Sequence, residues 1–136
     1  MSNRKQIFVG TLRATGALDL LAVVAVIAPR KWIAISHQML GMGEFPSSPV
    51  AGYLARSTSI WYAAFGFLLW FVSFDVERYS QLIQCLAWMM VAQGFLILGI
   101  DLAEGMPVWW TVLEGPCSAF LGAGLLLFHR WSRTKE

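Results

Sequence analysis

Four apolar stretches, each long enough to cross a lipid bilayer, decide most of what this chain can fold into. They cover about residues 6–28, 50–74, 80–103 and 107–129, and each meets the roughly 20 residues that carry a helix through a hydrocarbon layer of about 30 Å. In lipid, only helices and closed barrels satisfy all their own backbone N–H and C=O groups. Barrel strands alternate polar and apolar residues with a period of two, and these stretches do not. Helices are therefore expected. The charge content agrees: 13% of residues are charged, against about 25% in ordinary soluble domains.

The links between the stretches set the architecture. "DVERY" and "EGM" are short, so the helices they join should be antiparallel neighbours. The sequence predicts an all-α integral membrane four-helix bundle forming a single transmembrane domain over the whole chain. The first link, "PRKWIAISHQMLGMGEFPSSP", is longer. Pro29 suits a helix start, and Trp32, Ile33, Ile35, Met39 and Leu40 alternate with the polar Lys31, His37 and Gln38. A short interfacial helix is expected over about residues 29–42, lying along the membrane surface. The Gly- and Pro-containing run "GMGEFPSSP" ends it.

Arg13 and Asp19 interrupt the first stretch, and no small-residue cleavage site follows at "VIAPRKW", so it reads as a retained helix and not a signal peptide. Arg4, Lys5, Arg78, Arg130, Arg133 and Lys135 fall on one side of the predicted membrane, and only Arg30 and Lys31 on the other. Positively charged flanks stay inside, which predicts a multi-pass protein of the cell inner (plasma) membrane with both termini cytoplasmic. Trp109 and Trp110 would sit at the outer interface, with Tyr79 and Trp131 at the inner one.

A net charge of +2 gives no reason to expect nucleic acid. Cys85 and Cys117 lie in apolar segments at different depths and read as buried small side chains, with neither disulfide nor metal spacing. His37 and His129 belong to opposite sides of the membrane, and His37 reads as a solvated or interfacial residue. The sequence shows no Gly-rich nucleotide loop, HExxH or CxxC. No cofactor, metal site or catalytic set is assigned, and the balance leans away from an enzyme.

The polar residues inside the spans are the candidates for function. Counting from the outer ends, Arg56 and Glu114 lie about 10 Å deep at 1.5 Å per residue, with Asp19 and Gln93 deeper and Asp101 and Glu104 near the end of the third helix. Ser59, Ala63 and Gly66 continue the face of Arg56, and Ser118 and Gly122 that of Glu114. Such small residues let membrane helices approach closely, so both charges should point inward. An isolated charge at mid-membrane costs about 2.5–3.5 kcal/mol on insertion scales. Pairing offsets this, and Arg56 with Glu114 is the first pairing expected, with Asp19 as competitor or third member. Two readings stand open: a clamp that fixes helix register, and a pocket opening outward, lined by Arg56, Asp19, Gln93 and Glu114. Arg13 should snorkel to the cytoplasmic interface or meet Asp75 or Glu77. Pro116 should kink the last helix close to Glu114.

The whole-chain plan and the phrases "YLARSTSIWYAAFGFLLW", "DVERY", "GIDLAEGMPVWW" and "EGP" resemble the small bacterial four-helix membrane proteins of the DoxX-like type. That resemblance implies a four-helix membrane bundle. Some such proteins are associated with quinone or thiol redox systems, and no residue here carries that chemistry over. The expected function is a non-catalytic structural or accessory subunit of a membrane complex, with membrane-protein partners or further copies of itself. The alternative is a binder or carrier of a small amphiphile, lipid or quinone, at the outer-half polar cluster.

Overall fold

The computed structural model describes residues 3–133. Lys135, counted in the charge balance, lies outside them, as does the side chain of Arg133. Among the described residues six helices follow one another: α1 (Asn3–Leu20), α2 (Val23–Ile27), α3 (Arg30–Met39), α4 (Pro49–Val72), α5 (Ser80–Glu104) and α6 (Val108–Arg133). No strand occurs among the described residues. Three stretches, Asn3–Ile27, Ser80–Glu104 and Val108–Ser132, are long and apolar enough to cross a membrane, and they mark the protein as membrane-embedded. α4 is 24 residues long, but Arg56, Ser57, Thr58 and Ser59 dilute its first half, and it is not one of the three.

The first apolar stretch is broken where a continuous helix was expected. At Leu21 and Ala22 the ladder tightens: Ala22 N–H donates to Asp19 C=O at 3.1 Å, Val24 to Leu21 at 3.0 Å and Ala25 to Ala22 at 3.0 Å. These are i→i−3 bonds of the 3₁₀ kind. The run "VVAVI" that follows is rich in β-branched residues, whose side chains crowd the preceding helical turn.

The chain divides into two compact units. One comprises the residues through Thr15 and those from Leu69 onward; the other is Gly16–Leu68. The first holds most of the apolar core, with Phe8, Leu12, Leu69, Val72, Ile83 and Leu125 fully buried. The same unit carries polar ties. Lys5 forms an ion pair with Glu77. Arg13 Nε donates to Ser73 Oγ at 3.1 Å, and Ser73 Oγ donates to the Trp70 carbonyl at 2.6 Å. Arg13 thus bonds a hydroxyl just past the end of α4 rather than Asp75 or Glu77, with the Phe74 ring 5.4 Å away.

The α5–α6 seam is the closest contact of this unit. A Cβ built on Gly94 would lie 2.5 Å from the Gly115 carbonyl oxygen, and one on Gly115 would lie 2.6 Å from that of Gly94. One on Gly122 would meet the Ala87 carbonyl at 2.6 Å. Farther along, Ser80 Oγ and His129 Nε2 are 3.0 Å apart. Ser80, Ala87 and Gly94 on α5 therefore face His129, Gly122 and Gly115 on α6, layer by layer, at seven-residue steps. A seven-residue repeat averages 3.5 residues per turn, the period of left-handed supercoiled helix pairs. Between two layers Ser118 Oγ donates to the Met90 carbonyl at 3.2 Å. α6 runs as one helix through Pro116, whose missing N–H leaves the Val112 carbonyl without its usual helical donor. Gly105, at φ 67°, caps α5 and turns the chain directly into α6.

In the second unit the end of α1 runs beside α4. A Cβ on Gly66 would lie 2.5 Å from the Gly16 carbonyl and 2.8 Å from Asp19 Cβ. The cysteines correct an expectation: Cys85 and Cys117 are free and exposed, so both thiols lie on the outer surface of their helices and not in the core.

The seam yields a direct test. Gly94→Ala is expected to lower the midpoint of thermal unfolding in detergent, with an overpacking cost of about 1–3 kcal/mol. Gly99→Ala on the same helix meets open space and is expected to leave the midpoint unchanged or raise it slightly through helix propensity.

Candidate functional site

The six residues singled out from the sequence divide between the two units. Arg56 and Asp19 belong to Gly16–Leu68, and Glu114, Gln93, Asp101 and Glu104 to the other. Each setting is built from its own helices.

Arg56 sits seven residues beyond the first residue of α4, about 10 Å along it. Its guanidinium reaches back one turn. Nη1 donates to the Gly52 carbonyl at 3.4 Å and Nη2 to the Ala28 carbonyl at 2.9 Å. Ala28 is the C-cap of α2, where the backbone turns extended (φ −62°, ψ 139°). Terminal carbonyls of a helix have no partner within it, and Arg56 supplies one. The long side chain carries the charge back toward the start of the helix.

Arg30, the first residue of α3, was counted only for topology, yet it belongs to the same setting. Its Nη2 donates to the carbonyls of Pro46 at 2.7 Å and Ser48 at 2.8 Å, tying down the chain that leads into α4. Its guanidinium lies 5.5 Å from the Phe45 ring centroid. A Cβ built on Gly52 would stand 3.3 Å from Arg56 Nη1 and 3.4 Å from Arg30 Nη1. The two Nη1 atoms are thus no more than about 7 Å apart, a separation at which two positive charges repel by about 2 kcal/mol at an effective dielectric constant of about 20. Gly52 leaves the room for this approach. Neither Asp19 nor Glu44, the carboxylates of this unit, forms an ion pair with either guanidinium. The available signal was positional: Arg30 follows the first span directly, at the level where α4 begins.

Asp19 lies elsewhere on the same helix pair. Its Cβ abuts Gly66, ten residues past Arg56 and so about 15 Å farther along α4. The face expected to run from Arg56 to Gly66 does meet α1, but within this unit Asp19 is level with the wrong end of it to serve Arg56. The Asp19 carbonyl also accepts from Ala22 N–H in the tightened turn.

In the other unit, Asp101 occupies the seam itself. It is one seven-residue step past Gly94, and the register sets it opposite Val108, the first residue of α6. It is 5% exposed, and its Oδ2 has no hydrogen-bond partner among the described residues. Gln93 and Glu114 are half-buried and immediately precede Gly94 and Gly115, so they take equivalent positions beside one layer. Glu104, in the last turn of α5, is exposed. Of these four, the seam gathers Asp101, Gln93 and Glu114 along one contact and leaves Glu104 outside it.

Two histidines find packing roles that periodicity did not foretell. His129 is 5% exposed; it pairs with Ser80 as described, and its ring lies 5.7 Å from that of Phe8. His37 Nδ1 is 3.0 Å from the Gly43 carbonyl, and its ring meets Phe45 edge-on at 5.4 Å. Among the described residues, no three His, Cys, Asp or Glu side chains gather in a way that could hold a metal ion.

Two substitutions probe these settings. Arg56→Lys leaves a charge that cannot reach both carbonyls in the same planar geometry, and is expected to cost about 1.5–3 kcal/mol in unfolding free energy. Asp101→Leu removes a buried oxygen without a partner and is expected to stabilise the protein by about 1 kcal/mol. Equilibrium unfolding in mixed micelles, followed by circular dichroism, measures both. Compared with known proteins, the chain matches no family model, no curated protein and no solved structure.

Proposed function

We propose that the chain is a non-catalytic structural or accessory subunit of a membrane complex, built as a four-span bundle with both termini in the cytoplasm of a bacterial cell. The observation that carries this reading is how its intramembrane polar groups are used: they fasten its own helices. Arg56 holds the Ala28 and Gly52 carbonyls, Ser118 holds the Met90 carbonyl, and Ser80 and His129 hold each other. The fourth span is α4, whose 24 residues reach about 36 Å at 1.5 Å per residue. The apolar and polar sides of α3 suit a helix lying in the membrane interface. Large apolar side chains such as Trp61, Phe120 and Ile27, each at least 75% exposed, are then covered by lipid, by a partner membrane protein or by a second copy. On the plan of its chain we place the protein with the DoxX-like type it resembles.

A second reading, binding of a small amphiphile such as a lipid or quinone, is favoured by one observation: the two guanidiniums around Gly52 have no carboxylate of their own unit to neutralise them.

Topology and association test the first reading separately. Alkaline phosphatase inserted after Gly43 is expected to be active, and the same enzyme fused to the C-terminus inactive. Activity at both positions means that α4 does not span. Affinity purification from native membranes is expected to bring down a constant partner or a homo-oligomer. A protein that is monomeric and alone in every preparation removes the subunit reading.

A further inference from the structure

Resting on the second of those readings and on α4 as a span, and going beyond both, we infer that Arg30 and Arg56 together form a binding site for the phosphate group of an anionic phospholipid, seated over Gly52 at the start of α4. The argument begins with unspent donors. A guanidinium carries five N–H groups. Arg30 uses Nη2 for the carbonyls of Pro46 and Ser48, and its Nη1 has no acceptor among the described residues. Arg56 Nη1 makes only a long bond, 3.4 Å, to the Gly52 carbonyl. These two underused groups are the ones that converge on Gly52. The carbonyl bonds on the other nitrogens hold both planes in place, so the site is formed before a ligand arrives.

Charge selects the ligand. Backbone carbonyls orient the guanidiniums without neutralising them, and an anion bound between the two relieves their repulsion. A phosphate offers several oxygens to two donors at once, at charge-assisted distances of about 2.8 Å, and arginine's planar fork matches that geometry. Position selects the source. The Arg56 guanidinium is level with Gly52, three residues past the start of α4, which is the depth at which a membrane helix meets the headgroup layer. Exposed Tyr53 and Leu54 follow Gly52 on α4 and offer an apolar surface to the acyl chains below such a headgroup.

The test uses the full chain purified in a neutral detergent, with unfolding temperature read against added phosphatidylglycerol, phosphatidylcholine or inorganic phosphate. Phosphatidylglycerol is expected to raise the midpoint by several degrees more than phosphatidylcholine, and inorganic phosphate at matched ionic strength to do nothing. Arg30→Gln, which spares the Arg56 bond to Ala28, is expected to fold and to reduce the phosphatidylglycerol shift to that of phosphatidylcholine. Native mass spectrometry of the same samples is expected to show retained phosphatidylglycerol on the wild type and at least tenfold less on Arg30→Gln. Should Arg30→Gln fail to fold, Arg30→Lys replaces it, since an ammonium keeps the charge and loses the fork; a partial loss of retention is then expected. Equal shifts for the two lipids, a full shift with inorganic phosphate, or undiminished retention on the Arg30 variants would each overturn the site. Retention of a neutral lipid or quinone that is indifferent to Arg30 overturns this site and leaves amphiphile binding standing.

Discussion

The hydrocarbon interior of a bilayer gives a protein nothing to hydrogen-bond with, and no hydrophobic reason for its helices to touch, since acyl chains are as apolar as leucine. What remains is close packing and internal polar contact, and the architecture of this chain follows from that. Glycines bring the backbones of α5 and α6 to the limit of van der Waals approach at Gly94 and Gly115 and again at Gly122. Gly66 does the same for α4 against α1. Where a side chain intervenes, it is a hydroxyl that finds a carbonyl, as Ser118 finds Met90.

The same constraint explains how charge is handled. In water, Arg56 would be solvated by passing waters; here fixed backbone carbonyls do this. The chain end that breaks off from α2 supplies one carbonyl and α4 itself another. Helix ends are therefore a natural solvent for a half-buried arginine, because their unpaired carbonyls need donors as badly as the guanidinium needs acceptors. Orienting a cation by dipoles leaves its net charge intact, which separates the second unit from the Lys5–Glu77 end of the first, where opposite charges meet directly.

Much of the fold was legible in residue order. Length and hydropathy located α5 and α6 to within a few residues at most ends, and Pro29 foretold the start of α3. Small residues at helical spacing correctly indicated which side of α6 meets a neighbour, through Ser118 and Gly122. The 3₁₀ turn after Asp19 was not legible, because its cause is local crowding by β-branched residues that hydropathy scores as ideal membrane helix. Arg30 was overlooked because a basic residue outside a span looks like a topology signal until the chain folds it back onto the next helix. The cysteines misled for a simpler reason. In a soluble protein an apolar residue belongs inside, whereas a membrane helix has an apolar exterior as well, so hydrophobicity alone does not distinguish core from surface.

The seven-residue register between α5 and α6 limits how this pair of helices can vary. Inserting one residue into α5 beyond Gly94 would rotate everything after it by about 100°, swinging Asp101 out of the seam and leaving the Gly105 turn aimed away from α6. Length can change without loss of facing only in whole repeats, each adding about 10 Å, which is a third of the hydrocarbon layer. Substitution is open to most positions on the outer face, while insertion and deletion are closed to the hairpin except at its ends. The thickness of the membrane and the pitch of the seam together hold the hairpin to a single length.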